Sequence, residues 1–150
     1  MRPDSIRHVV ALLVACAFAA GPVFAAGPTV GVVQAPNAPV TLAQVKLLNT
    51  DGTPWVLLYA ATNVTDNQLD QFTVTVFIFD KDKRLKARQV APGRRTLEPH
   101  ETKFSAMVLD VGGIETGESL LVGVDQAQRV GSDDWWRADL RTIAEAQMKN

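Results

Sequence analysis

Residues 72–85 read "FTVTVFIFDKDKRL". From Phe72 to Phe79 the side chains alternate, and successive residues of a strand point to opposite faces. Phe72, Val74, Val76 and Ile78 fall on one face, which reads as core. Thr73, Thr75, Phe77 and Phe79 fall on the other. That face is half polar and half aromatic, as where a sheet passes under a loop or a helix. The run then turns charged at Asp80, whose carboxylate can accept backbone N–H groups in a reversal. A strand of this kind, apolar on one side and partly covered on the other, belongs in a layered β protein.

Working outward, the neighbouring segments repeat the signal. "WVLLYAATNVT" from Trp55 to Thr65 places Trp55, Leu57 and Tyr59 on one face and Val56, Leu58 and Ala60 on the other. A strand apolar on both faces reads as central and covered. Upstream, Val40 and Leu42 line one side of a strand. Val45 and Leu47 continue it if a bulge lies near Gln44. "NTDGTP" closes it as a turn. Downstream, Leu85 to Val90 reads as a short strand and "APGRRTLEPHET" holds a loop. "TKFSAMVLDV" is another strand with Phe104, Ala106 and Val108 facing one way. "SLLVGVDQAQRV" is a further strand, apolar on both faces from Leu120 to Val124.

The tail, "GSDDWWRADLRTIAEAQMKN", fits two periods. One is a single helix capped by Ser132 or Asp133. The other is a strand from Trp135 to Leu140 followed by a short helix, and it carries slightly more weight. Six or seven short strands separated by turn signals predict an all-β fold. The expected architecture is an antiparallel, immunoglobulin-like β-sandwich with a short C-terminal helix.

The N-terminus is expected to be a secretory signal peptide over residues 1–25. Arg2 and Arg7 precede an apolar run from Val9 to Ala20, and Val23-Phe24-Ala25 is a small-x-small cleavage site. The run is shorter than the roughly 20 residues a membrane span needs. "LVAC", Leu13 to Cys16, leaves lipid anchoring at Cys16 as the competing reading. Against it, the apolar run before Cys16 is very short and the residues after it stay apolar. Residues 26–39, with three prolines, read as a flexible arm carrying at most a short edge strand at Thr29 to Gln34. Residues 40–150 form the sandwich domain. The mature chain of about 125 residues suits one domain. The expected location is the periplasm or the exterior.

Composition narrows the chemistry. The chain has a net charge of -1 and no basic tract, so nucleic acid is not an expected partner. Cys16 is the only cysteine and lies in the leader, so the core must supply the stability that disulfides give many exported domains. His100 is the only histidine beyond the leader, which excludes a histidine-rich metal site. A Ser-His-Asp arrangement would have to use His100, which follows Pro99 in a turn. Asp80 and Asp82 have the spacing of the first two ligands of a calcium loop. Leu85 then replaces the required glycine and Ala91 the bidentate glutamate. Asp133 and Asp134 have no partner held at the fixed separation that glycoside chemistry needs. No catalytic, cofactor or metal residues are therefore assigned, and the expectation is a protein that is not an enzyme.

Two surfaces stand out for binding. Trp135 and Trp136 are adjacent, so they cannot share one direction, and tryptophan is enriched in binding hot spots. Arg84, Lys86, Arg88, Arg94 and Arg95 gather basic charge between two apolar segments, either as a docking face for an acidic partner or as an edge that resists sheet pairing.

Residues Trp55 to Asp110 resemble the small immunoglobulin-like domains of bacterial exported proteins known as FxLYD-type. Asn63 matches the Asn that ends a strand in those domains. Phe79-Asp80 match their aromatic-Asp pair, and "LEPHETKF" matches their Leu-Pro-Gly-Glu before a Phe, with His100 where glycine is usual. The resemblance implies a fold and an exported location and no shared catalytic residues. The expected function is a non-enzymatic binding or assembly protein of the cell envelope, with a protein partner. A small periplasmic hydrolase or enzyme-inhibitor accessory is one alternative. Another is a structural subunit whose N-terminal arm adds a strand to a neighbour.

Overall fold

A computed structural model describes residues 27–51, 53–91 and 95–150. The expected leader over residues 1–25 with its expected cleavage site, Cys16 and Arg94 lie outside the described residues. Within the described residues, eight strands and one helix follow in chain order. They are β1 (Thr29–Val32), β2 (Val40–Leu48), β3 (Val56–Asn63), β4 (Leu69–Phe79), β5 (Leu85–Val90), β6 (Thr102–Val108), β7 (Ser119–Arg129), β8 (Trp135–Arg137) and α1 (Leu140–Lys149).

The strands form two packed sheets. One has the order β2-β3-β6 and is wholly antiparallel. The other runs β1-β7-β4-β5, with β8 pairing β7 beyond the end of β1. Taking β2 to β8 in order, the first, second and fifth strands oppose the third, fourth, sixth and seventh. Over that span the chain thus crosses between the sheets after β3, after β5 and after β6, as in a β-sandwich.

Between the sheets the core is built from the expected face of β4. Phe72, Val74, Val76 and Ile78 are buried against Leu57, Tyr59, Leu120 and Val122. Trp55 is only half-buried at the margin of this core. The second face of β4 is covered as well. Phe77 and Phe79 pack with Leu121 beneath Leu140 and Ala144 of α1 and beneath Val33 and Ala35. The molecule therefore has three layers, with the β4–β7 pair in the middle one.

Local chemistry explains the joints. The register of β2 shifts between Ala43 and Lys46, and Gln44 takes φ 51°, which is the bulge expected there. Asp80 Oδ1 accepts the N–H groups of Asp82 and Arg84 and closes the β4–β5 turn. Asn63 is fully buried. Its Nδ2 donates to the carbonyls of Asn67, Leu97 and Glu98, and its Oδ1 accepts from Thr65 N and Oγ1. One amide thus ties the β3–β4 turn to the loop before β6. In that loop His100 takes φ 60°, a left-handed conformation that glycine adopts most easily.

Two expectations change. Residues 27–39 are not a loose arm. β1 pairs parallel to β7, and Val33, Ala35 and Ala38 are buried. The sandwich is consequently antiparallel except at this one pairing. The segment is held because its small apolar residues cover the outer side of β7. In the tail, the strand-then-helix reading holds, with shorter elements than expected. The helix is capped by Asp139, which accepts from Thr142 N, and the cap at Ser132 or Asp133 falls with the single-helix reading to which it belonged.

Candidate binding surface

The least expected feature is the outer face of the β2-β3-β6 sheet. In its register Lys46, Leu58 and Ala106 form one row, and Leu48, Val56 and Val108 form the next. Ala43, Ala60 and Phe104 form a third. The inward side of β3 and β6 goes to Leu57, Tyr59, Ala61 and Met107, so all of these rows face away from the core. Phe104 is 72% exposed, Val108 55% and Leu48 49%. Single exposed apolar residues are ordinary, but a contiguous set across three strands marks an interaction surface. A trough of about 380 Å³ crosses it, lined by Gln44, Lys46, Leu58, Phe104 and Ala106. The double-sided apolar pattern of β3 had predicted cover on both sides. Among the described residues no strand or helix packs over the outer one, although Ala60 itself is buried. Its signal in the sequence was the Phe104, Ala106, Val108 set, whose side could not be assigned without the register to β3.

β6 is also an edge strand. Its odd residues bond to β3, as the Leu109 N–H to Trp55 carbonyl and Asn63 N–H to Glu101 carbonyl bonds at the strand ends require. The backbone groups of Thr102, Phe104, Ala106 and Val108 therefore point away from the sheet. At one end this edge is already used. Gln89 Nε2 donates to the Val108 carbonyl and Gln89 Oε1 accepts from Asp110 N, so a side-chain amide pairs there as a peptide would.

The tryptophans diverge, as adjacent residues must. Trp136 packs against both apolar clusters, while Trp135 lies beside Arg137, whose guanidinium carbon is 6.0 Å from the ring centre. Both are half-buried. They line a notch of about 240 Å³ with Asn37, Pro39, Leu69 and Arg129.

The basic residues are scattered in role. Lys86 Nζ bonds Glu118 Oε1 at 2.7 Å, and Arg88 bonds Asp125 at 3.3 Å. Arg84 is exposed, and Arg95 is half-buried beside a 260 Å³ cleft that also contains Phe72, Thr96, Lys103 and Ser105. Lys86 and Arg88 are thus paired with acids rather than offered to a partner. Burial by itself would raise the Glu118 carboxyl, but the bonds from Lys86 and from the Glu115 N–H outweigh it and hold the group below its usual range. The hydrogen bond to Glu118 raises Lys86 in turn. Burial pushes the Tyr59 hydroxyl above its usual value.

His100 Nε2 lies 2.8 Å from Asp66 Oδ1 on an exposed turn. Among the described residues no group of three or more His, Cys, Asp or Glu is placed to hold a metal ion. None of the described helices is long and apolar enough to cross a membrane.

Fold and surface together define a small all-β sandwich with one uncovered apolar sheet face. Comparison with protein-family models, with curated proteins and with solved structures finds no match to this chain.

Proposed function

We propose that this chain is a non-enzymatic binding or assembly module of the cell envelope, and that it docks a protein partner on the outer face of the β2-β3-β6 sheet. The observation that carries the reading is Phe104, 72% exposed on the edge strand of an apolar face that runs over three strands. Burying such a ring on a partner is worth about 1.5–3 kcal/mol, enough for it to act as an anchor. The export half of the reading rests on the leader-like residues 1–25 and on the FxLYD-type resemblance, whose Asn63 and Phe79-Asp80 occupy structural joints.

The test is affinity capture from an envelope extract with the protein as the cell exports it, beside Phe104→Asp and Val108→Asp variants. Both are expected to melt like the wild type and to lose the captured protein. Equal capture by all three would move the site to the notch at Trp135 and Trp136, where Trp135→Ala is the next variant. Intact mass of the exported protein tests the processing. The expected mass begins at Ala26, and an acylated Cys16 would place the module on a lipid anchor.

A further inference from the structure

Building on that docking surface, we infer that the partner at the β6 edge is a second copy of this chain, added antiparallel so that the two β2-β3-β6 sheets become one continuous six-stranded sheet.

The other edges are blunted, whereas this one carries a single cation, Lys103, which is tied to the Thr96 carbonyl and to Glu101. β2 is bulged at Gln44, β5 carries Lys86 and Arg88, and the far edge beyond β7 consists of β1 and β8, which are only 4 and 3 residues long. Bulges, charges and short edge strands are the devices that keep edges from pairing. β6 is regular in its pairing with β3 from Thr102 to Val108, and its outward backbone groups at Phe104 and Ala106 make no bond to any described residue. The Gln89 amide seated on Val108 and Asp110 shows that this edge accepts a peptide-like group, and it ends the open stretch at that point.

The open stretch is self-complementary about Ser105. Pairing Phe104 with Ala106 of the second copy exchanges both N–H to carbonyl bonds, and the two-fold axis repeats the exchange, which satisfies all four open groups on each copy. The side chains agree with that register. Each Phe104 ring stands opposite the small Ala106, next to the trough lined by Leu58 and Ala106. The charges agree as well. Lys103 meets Met107 and Glu101 meets Leu109, so no like charges are opposed. The outer apolar faces then lie side by side as one larger surface.

Sedimentation of the exported protein tests this. The wild type is expected to pass from monomer to dimer between about 1 and 100 μM, the range of a small interface. Ala106→Pro removes one outward N–H without touching the β3 ladder, and an edge position facing solvent tolerates proline. It should keep the wild-type melt and weaken the dimer about tenfold or more, since two symmetric bonds go. In a Cys16→Ser background, Ser105→Cys should give a disulfide-linked dimer on oxidation. Its two copies face each other as a non-hydrogen-bonded pair about 4.5 Å apart at Cα.

A wild type that stays monomeric throughout, an Ala106→Pro variant that dimerises as well as the wild type, or a Ser105→Cys chain that does not cross-link overturns the inference. Loss of envelope capture in the Phe104→Asp variant with a monomeric wild type would remove the dimer and leave the docking reading standing. A dimer with no capture would do the reverse.

Discussion

Val33 and Gly123 are packed backbone to backbone. A Cβ placed on residue 123 would overlap the Val33 carbonyl oxygen and come within 2.9 Å of Leu140 Cδ2. Gly123 lies at the centre of β7, where the segment after β1 crosses the sheet and α1 closes over both. Glycine in a strand interior commonly marks such a close approach.

Gly123→Ala should therefore destabilise the domain by about 3 kcal/mol, the upper range for overpacking, because a backbone oxygen cannot rotate away. Thermal melts check this, and limited proteolysis should show the first cuts near residues 27–39. A melt within one degree of wild type would mean that the segment does not sit on β7.

Asn63→Ala should cost about 3 kcal/mol. It leaves the carbonyls of Asn67 and Glu98 and the Thr65 N–H without their partner in a half-buried place, and each such loss costs about 1 kcal/mol. Asn63→Asp should be no better, since a carboxylate cannot donate to three carbonyls. Urea melts of both variants decide it, and a loss under half that size in Asn63→Ala would show that water replaces the amide.

On β4 the two faces can be compared directly. Val76 is fully buried between the sheets, whereas Thr73 is half-buried and bonded to Gln126 Nε2 at 2.9 Å. Val76→Ala should cost about 2–3 kcal/mol and Thr73→Ala about 1 kcal/mol. Equal losses in denaturant melts would place the boundary between the layers elsewhere.

Acid should weaken the fold through its carboxylates. The folded Glu118 carboxyl lies below the value of 4.5 that it takes when unpaired. Its contribution is thus fully present above that value and is lost as pH falls through the depressed folded one. Glu101, held down by its bond from the Glu98 N–H, and Asp139, held down by Thr142, act in the same direction. Lys86 is raised, so its share is present at neutral pH and is lost only as pH rises past its folded value above 10.5. Melts from pH 7 down to about pH 3 should show a falling Tm. Glu118→Gln should start lower at pH 7 and fall less steeply. An unchanged slope in that variant would remove Glu118 from the acid response.

Much of the middle layer was legible in the chain itself. The period-2 pattern of Phe72 to Phe79 assigned one face to the core and the other to partial cover. Asp80, the Gln44 bulge and the strand-then-helix tail followed from short-range chemistry, because each depends on residues within a few positions of one another. The strand pattern also sufficed for an all-β sandwich. What lay beyond it depended on partners distant in sequence. Residues 27–39 look loose when read alone, yet Val33, Ala35 and Ala38 are buried, because Gly123, some 90 residues on, leaves room for the Val33 carbonyl. Val56, Leu58 and Phe104 carry the same apolar character as core residues. Only the placement of α1 over the other sheet decides that these stay in water. Local pattern sets which side chains share a face. Which faces find a cover is settled by how many layers the chain can stack, and the described residues supply one helix for two outer faces.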